Sequence, residues 1–500
     1  KDVGKTLEFT LGSFDTKEVQ GYLGEKSGEF TQNYAFGYRD AGGYRDHTDI
    51  EKIALSGRWQ YDFENSSLAL STRYGKYNAD SPGYLSKEQA RRSPRSSAAF
   101  ANQDGGEKET KQVSVHFDHF FNDDLDISLK SYWQNFERER WVRFSEAGSL
   151  QNRYDDQDMM GFIAKLNWQF DPKWKLETGF DVENQQVTEQ RFGTIGQKRV
   201  RNSTNVIRNF DYDFDTTGAY VQISHQPNDI FKWNAAIRAD RIDGDFKQFN
   251  AAGISIPRKI YDFGTIVQPK VNAFLNLSDN QTLFANAGRS FQHPFGADAY
   301  TTGDTGARDV SINDGWELGL KSVFFKTIGT RISYWEQKAK DEFVVVDGTA
   351  QNVGETSRKG VDLSLDFPLF DNVSIWGNLS KVYTKIEQTS DANRAFEGNE
   401  LRGIPDHTAS IGANYQWSNA LVMRVHIDRQ GGYYVNEANL GGKFGAYTLV
   451  NANAEYKTRW GKVSVQANNL FDRFYEYVFD NSPSPAATDT IHSPGAGRNF

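Results

Sequence analysis

Three stretches of this chain bring cationic and aromatic side chains close together. Between Asn78 and Lys111 stand Tyr84, Lys87, Arg91, Arg92 and Arg95. The run Glu137–Arg143 carries Arg138, Arg140, Trp141 and Arg143, the densest cation–aromatic cluster in the chain. Phe291, His293 and Tyr300 open a third polar stretch. Guanidinium forks match planar charged oxygens, and aromatic faces stack on rings and cations. The chemistry on offer is therefore recognition. Two plainer readings compete with it. Glu137, Arg138, Glu139 and Arg140 also suit a solvated strand extension whose charges pair across strands, and His293 also suits a loop hydrogen-bonder.

Bond-making chemistry finds no support. The chain has no Cys, which excludes disulfides, thiol catalysis and thiolate-bound metal. Its 8 His are scattered, without the spacing of a helical metal pair. His116 and His119 are three apart and fall on opposite faces of a strand. The Asp304–Asp309 run, DTGARD, lacks the calcium-loop pattern. No nucleophile elbow, phosphate loop or dinucleotide fingerprint occurs. An enzyme, a cofactor and a metal site are not expected; a membrane-embedded protease or phospholipase is a minor alternative. A net charge of −9 argues against a nucleic-acid partner.

The elements that must hold these residues are strands. In Lys462–Phe479, Val463, Val465 and Ala467 alternate with Ser464, Gln466 and Asn468. A strand's side chains switch faces at each residue, so one face is apolar and the other polar. The pattern recurs from Lys5–Phe14 onward. In Lys52–Phe63, Ile53, Leu55, Trp59, Tyr61 and Phe63 oppose Lys52, Ser56, Arg58, Gln60 and Asp62. In Val361–Leu369, Val361, Leu363 and Leu365 oppose Asp362, Ser364 and Asp366. Roughly 21 such segments occur, most reaching the ~10 residues a tilted strand needs to cross a bilayer. Aromatics make up 14 % of the chain while mean hydropathy is −0.68. A transmembrane barrel reconciles these values, with aromatic girdles outside and a wet lumen within. Inward carboxylates suit a wet lumen and would be costly in a dry core.

The connections alternate in length. Glu64-Asn65-Ser66, Asn122-Asp123-Asp124, Asp171-Pro172-Lys173 and Ser278-Asp279-Asn280 are tight polar turns. Between them lie long connections, Asn78–Lys111, Glu137–Asp158, Gln190–Asp215, Gln292–Asp314 and Gln388–His407. Such asymmetry belongs to outer-membrane barrels, with short periplasmic turns and long extracellular loops. Single-chain barrels have even strand numbers. The expectation is an all-β antiparallel barrel of about 22 strands, the last beginning near Arg498 and incomplete. Lys1 reads as a mature or truncated start.

Asn468-Asn469-Leu470-Phe471-Asp472-Arg473-Phe474-Tyr475 resembles the penultimate-strand signature of the TonB-dependent outer-membrane transporters. Ser493-Pro494-Gly495 with Gly497-Arg498-Asn499 is similar to that family's entry to the last strand, with Ala496 extra. Trp316–Lys321, Asn352–Asp362 and Gly288–Pro294 are similar to three further family elements, all in family order. Gly43–His47 and Ser81–Lys87 resemble stretches of the pyrroloquinoline quinone transporter and its relatives. The resemblance implies active uptake of a scarce anionic ligand, above all a ferric siderophore, and otherwise a cofactor such as that quinone. It implies a monomer in the outer membrane whose N-terminal plug is pulled by TonB. No plug-like stretch precedes the strands, so residues 1–500 are expected to be barrel alone. Ligand contacts then fall on Tyr84, Arg91, Arg92, Arg138, Arg140, Trp141, Arg143, Phe291, His293 and Tyr300. A passive or surface-binding barrel is the rival reading, and a soluble β-rich module a third.

Overall fold

The computed structural model describes residues 3–250, 253–294, 309–325, 327–346, 349–352, 354–389, 391–481 and 489–500. One sheet of 23 strands dominates them. Two of these, Asp245–Phe249 and Ser255–Lys259, form a short hairpin that folds back onto Phe210–Tyr212. The remaining 21 follow one another as an antiparallel meander from Gly4–Gly12 to Lys462–Ala467. The alternating pattern dictates this sheet, because only pairing with both neighbours satisfies every backbone group in a bilayer. One face of each strand is apolar yet solvent-accessible, as Phe9 (72 %), Met160 (61 %) and Val465 (61 %) show. The buried clusters lie instead among the extended strand ends and connections, around Leu85, Phe246 and Tyr433. This is a barrel with its hydrophobic face outward.

The two edge strands approach each other at the last residues. Asn499 exchanges backbone hydrogen bonds with Asn468 at 2.9 and 3.1 Å, beside Lys462–Ala467. Phe500 accepts from the Ser13 amide at 2.9 Å and donates to its Oγ at 3.0 Å, beside Gly4–Gly12. Residues 499–500 thus form the first rungs of a strand between the two edges.

Aromatic rings band the tight-turn end. Around Asp171-Pro172-Lys173, Trp174 stacks on His225 at 3.8 Å and meets Trp233 edge-on at 5.9 Å, while Trp168 contacts Phe170 at 5.4 Å. Close approach also matters in the wall. Gly412 lies directly across from Trp376, and a Cβ there would sit 2.5 Å from the indole.

At the other end the structure departs from expectation. The long connections Glu137–Asp158 and Gln190–Asp215 are mostly strand. Leu125–Val142 and Gln151–Asp171 leave only residues 143–150 between them, and Trp174–Thr194 and Arg201–His225 leave only 195–200. With Gly105–Asn122 these make five strands of 18 to 25 residues, about twice what a bilayer needs. Their outward residues change character midway. Val115, Trp133, Met160 and Val182 give way to Glu109, Glu137, Asp156 and Gln186. Above that line both faces are wet, and the wall stands clear of the membrane.

Lys462–Phe479 is likewise not one strand. The ladder stops at Ala467, Asn469 and Asp472 turn with positive φ, and Glu476–Asp480 pairs with Thr490–Pro494 in a separate hairpin. Connection 81–104 docks on that hairpin. Leu85 and His492 exchange backbone hydrogen bonds of 2.9 Å each way. Its helix Lys87–Arg92 starts with a capping box, Ser86 and Gln89 each accepting from the other's amide.

Candidate ligand-binding wall

Arg138 and Arg140 project from the face of Leu125–Val142 opposite Trp133, which is the lumen face. Register then assembles a row. Arg140 pairs with Arg153, Arg153 with Arg191, and Arg191 with Arg208, on four successive strands. Neighbouring strands are about 4.8 Å apart, so the row spans roughly 15 Å. It stands about 20 Å beyond Met160, the last outward apolar residue of its strand.

Charge in this row is unevenly compensated. Glu189 pairs with both Arg191 (2.6 Å) and Arg208 (2.7 Å). Asp155 accepts from Arg138 Nε at 2.8 Å. Among the described residues, Arg153 has no carboxylate within ion-pair distance. Its terminal nitrogen donates to Gln151 Oε1 at 3.3 Å, its Nε is buried without a hydrogen-bond partner, and its guanidinium lies 4.6 Å from the Phe144 ring. Burial, then the like charges of Arg191, Arg140 and Arg208, push its pKa down to about 10. Like charges directly opposite on adjacent strands repel, so the row is strained electrostatically.

An aromatic cluster adjoins the row. The Arg208 guanidinium sits 4.7 Å from the Phe210 ring, which meets the almost wholly buried Phe246 edge-on at 5.0 Å. Tyr212 and Phe214 pack on Phe246, and Phe214 stacks against His293 at 4.8 Å. Burial raises the Tyr212 pKa, helped by Glu189 and Asp155, so its hydroxyl stays protonated and able to donate. His293 Nδ1 lies 2.7 Å from the Pro294 carbonyl. Guanidiniums, rings and a hydroxyl on a solvent-accessible wall can hold a polyanionic, ring-bearing ligand.

The structure thus brings Arg138, Arg140 and His293 to one wall. The other expected contacts lie elsewhere. Trp141 faces outward, and so does Phe291, which pairs with Ile312 on the face shared by Trp316. Arg143 closes its own connection, donating to the Gly148 carbonyl at 2.8 Å, while its amide donates to Asp104 Oδ1 at 2.9 Å. Burial raises the Asp104 carboxyl to about 6. Arg91 pairs with Glu476 at 3.6 Å, Arg92 with Glu88 at 2.7 Å, and the Tyr84 ring lies 5.4 Å from Phe479. All three serve the docking of connection 81–104 or its own helix. Tyr300 lies outside the described residues. Among the described residues no cluster could hold a metal ion.

Arg153, Arg191, Arg208 and Phe246 were missed from sequence. One signal was available: Arg153 and Arg191 are equally far from Pro172, the centre of a tight turn. Counting outward from that turn places them opposite each other.

Comparison with known proteins agrees with this architecture. Residues 59–470 match the family model "TonB dependent receptor-like, beta-barrel". The chain is 33 % identical over 131 residues to the ferrichrome outer membrane transporter/phage receptor of Escherichia coli K12, covering 24 % of this chain and 17 % of that protein. It is 22 % identical over 394 residues to the ferric aerobactin receptor of Klebsiella pneumoniae, covering 69 % of this chain and 52 % of that protein. The matches span about half or less of these curated relatives. The ferric citrate transporter FecA, unliganded, superposes with a TM-score of 0.85 at 15 % identity, over 100 % of this chain and 78 % of that one. The siderophore receptor PiuA from Acinetobacter baumannii superposes at 0.84 with 14 % identity, over 100 % and 81 %. A strand-built wall, short turns at one end and a match over most of its length establish that this chain belongs to the TonB-dependent receptors of the outer membrane, as their β-barrel domain.

Proposed function

We propose that this barrel serves a receptor that captures a ferric siderophore at its extracellular mouth and imports it at the expense of TonB. The observation that carries this reading is the lumen-facing row Arg140–Arg153–Arg191–Arg208 with its aromatic neighbours, raised above the membrane on strand extensions. The curated relatives named for ferrichrome and ferric aerobactin support iron as the cargo. A plug filling the lumen, contributed by sequence outside these 500 residues, completes the reading. The lumen wall is built for a polar occupant, with Arg238 bridging Asp181 at 2.8 Å and Asp240 at 2.6 Å.

The test is uptake of radioactive iron chelates by cells producing the full receptor, with and without TonB. Import that requires both receptor and TonB supports the proposal. Chelate passage independent of TonB would favour a passive pore. A pyrroloquinoline quinone cargo has no comparable support among the relatives.

A further inference from the structure

The row itself constrains the charge of what it binds. Four guanidiniums face one another across adjacent ladders, and Glu189 forms ion pairs with two of them, Arg191 and Arg208. Among the described residues, Arg140 and Arg153 have no carboxylate within ion-pair distance. Arg153 stands between Arg140 and Arg191 with Phe144 over its face. A neutral ligand leaves this repulsion in place. A ligand bringing two or more negative charges relieves it, because an arginine fork pairs two oxygens of one carboxylate or catecholate at once.

Resting on the siderophore reading above, we infer that the arginine row is a charge filter. It selects iron chelates of net charge −2 or more negative, with anionic oxygens on their periphery, over neutral chelates of similar size. Arg153 is its central specificity residue. The row lies wholly on barrel strands, so the selection occurs at capture, before any energy is spent on transport.

The experiment uses the full-length receptor in cells lacking TonB, where binding is measured without import. Three radioactive probes are compared: a trianionic ferric tris-catecholate, ferric citrate, and a neutral ferric trihydroxamate. The expected result is at least tenfold tighter binding of one or both anionic probes than of the neutral one. Arg153→Gln should weaken anionic binding at least tenfold and narrow the preference for anionic over neutral probes by a similar factor. Arg153→Lys, which keeps the charge and loses the fork, should fall between. Folded receptor is quantified by its heat-modifiable migration, so poor assembly is not mistaken for lost affinity. A neutral chelate bound as tightly as the anionic ones, or Arg153→Gln without effect at equal folded amounts, overturns the filter and leaves siderophore uptake standing. No binding of any iron chelate overturns the siderophore reading and the filter with it.

Discussion

Removing a single oxygen, in Tyr433→Phe, should loosen the extracellular clasp in a measurable way. Strand Glu476–Asp480 has a ladder partner on one side only, Thr490–Pro494. On its other edge the Tyr433 hydroxyl stands in for a strand. It accepts from the Val478 amide at 3.0 Å and donates to the Val478 carbonyl at 3.1 Å. Val478 is 1 % exposed, so water cannot take the hydroxyl's place while the clasp is shut. A buried backbone group left unpaired costs about 1–3 kcal/mol. Two such groups, with some relaxation, put the loss at about 2–4 kcal/mol of local stability. At about 1.4 kcal/mol per factor of ten, protection of the Val478 amide from hydrogen exchange should fall about 30- to 700-fold. The assay is exchange on the full receptor in detergent, with mid-barrel amides such as that of Ile332 as the internal control. Val478 protection within threefold of the parent would refute the reasoning, because the hydroxyl would then not be what satisfies this edge. An equal loss at Ile332 would refute it too, since the effect would be global.

Three further perturbations test other parts of the wall. Gly412→Val sets a side chain against the Trp376 ring, and overpacking of about 1–3 kcal/mol should lower the urea midpoint of barrel unfolding; an unchanged midpoint would show that the indole simply swings aside. Arg238→Leu leaves Asp181 and Asp240 facing each other without their shared cation, and in a partly wet lumen should cost about 1–3 kcal/mol. Adding Asp181→Asn and Asp240→Asn should recover most of that loss, and failure to recover would assign the effect to packing. Asp104, whose pKa rises from 3.8 to about 6 by burial, holds its proton in the folded state over a window where the unfolded chain has released it. Its contribution to the junction with Arg143 therefore falls as pH rises from about 4 to 6. Asp104→Asn should flatten the pH dependence of exchange at the Arg143 amide, after correction for intrinsic rates, and an unaltered pH profile would show that Asp104 is not the group responsible.

The membrane-embedded part of this fold was largely legible in the sequence, and the part above it was not. Alternation is a contrast between lipid and water. Where Val463 faces outward and Ser464 inward, the contrast is strong and the strand is plain. Above Met160 and Val182 both faces meet water, so Asp156 and Asp155 look alike, and Gln151–Asp158 reads as loop although the ladder continues. The same blindness hid the arginine row. Arg140 announced itself by its neighbours in sequence, but its neighbours in space come from three other strands, and only register joins them. The break at Asn468 carried its own sign, since Asn469 and Asp472 are residue types that tolerate the left-handed backbone they adopt. Arg91 and Arg92 show another limit of sequence, where a conspicuous basic pair forms an ion pair to the adjacent hairpin and one within a helix turn.

Carrying the candidate site on strands has a mechanical consequence. A loop can bring arginines together only by folding around a ligand, and its ordering then costs conformational entropy. Here the repulsion between Arg140, Arg153 and Arg191 is borne by ladders whose register runs without a shift from Gln151 to Trp168 on both sides. The spacing of the row is set by the ladders, so the energy of a ligand bound there would go into neutralising charge instead of ordering chain. The connections around 81–104 and the hairpin Glu476–Pro494 are separately tied by Leu85, His492 and Tyr433. Any movement on ligand capture is then to be sought in those ties, each of which costs two hydrogen bonds to break, and not in the wall, whose failure would cost a ladder.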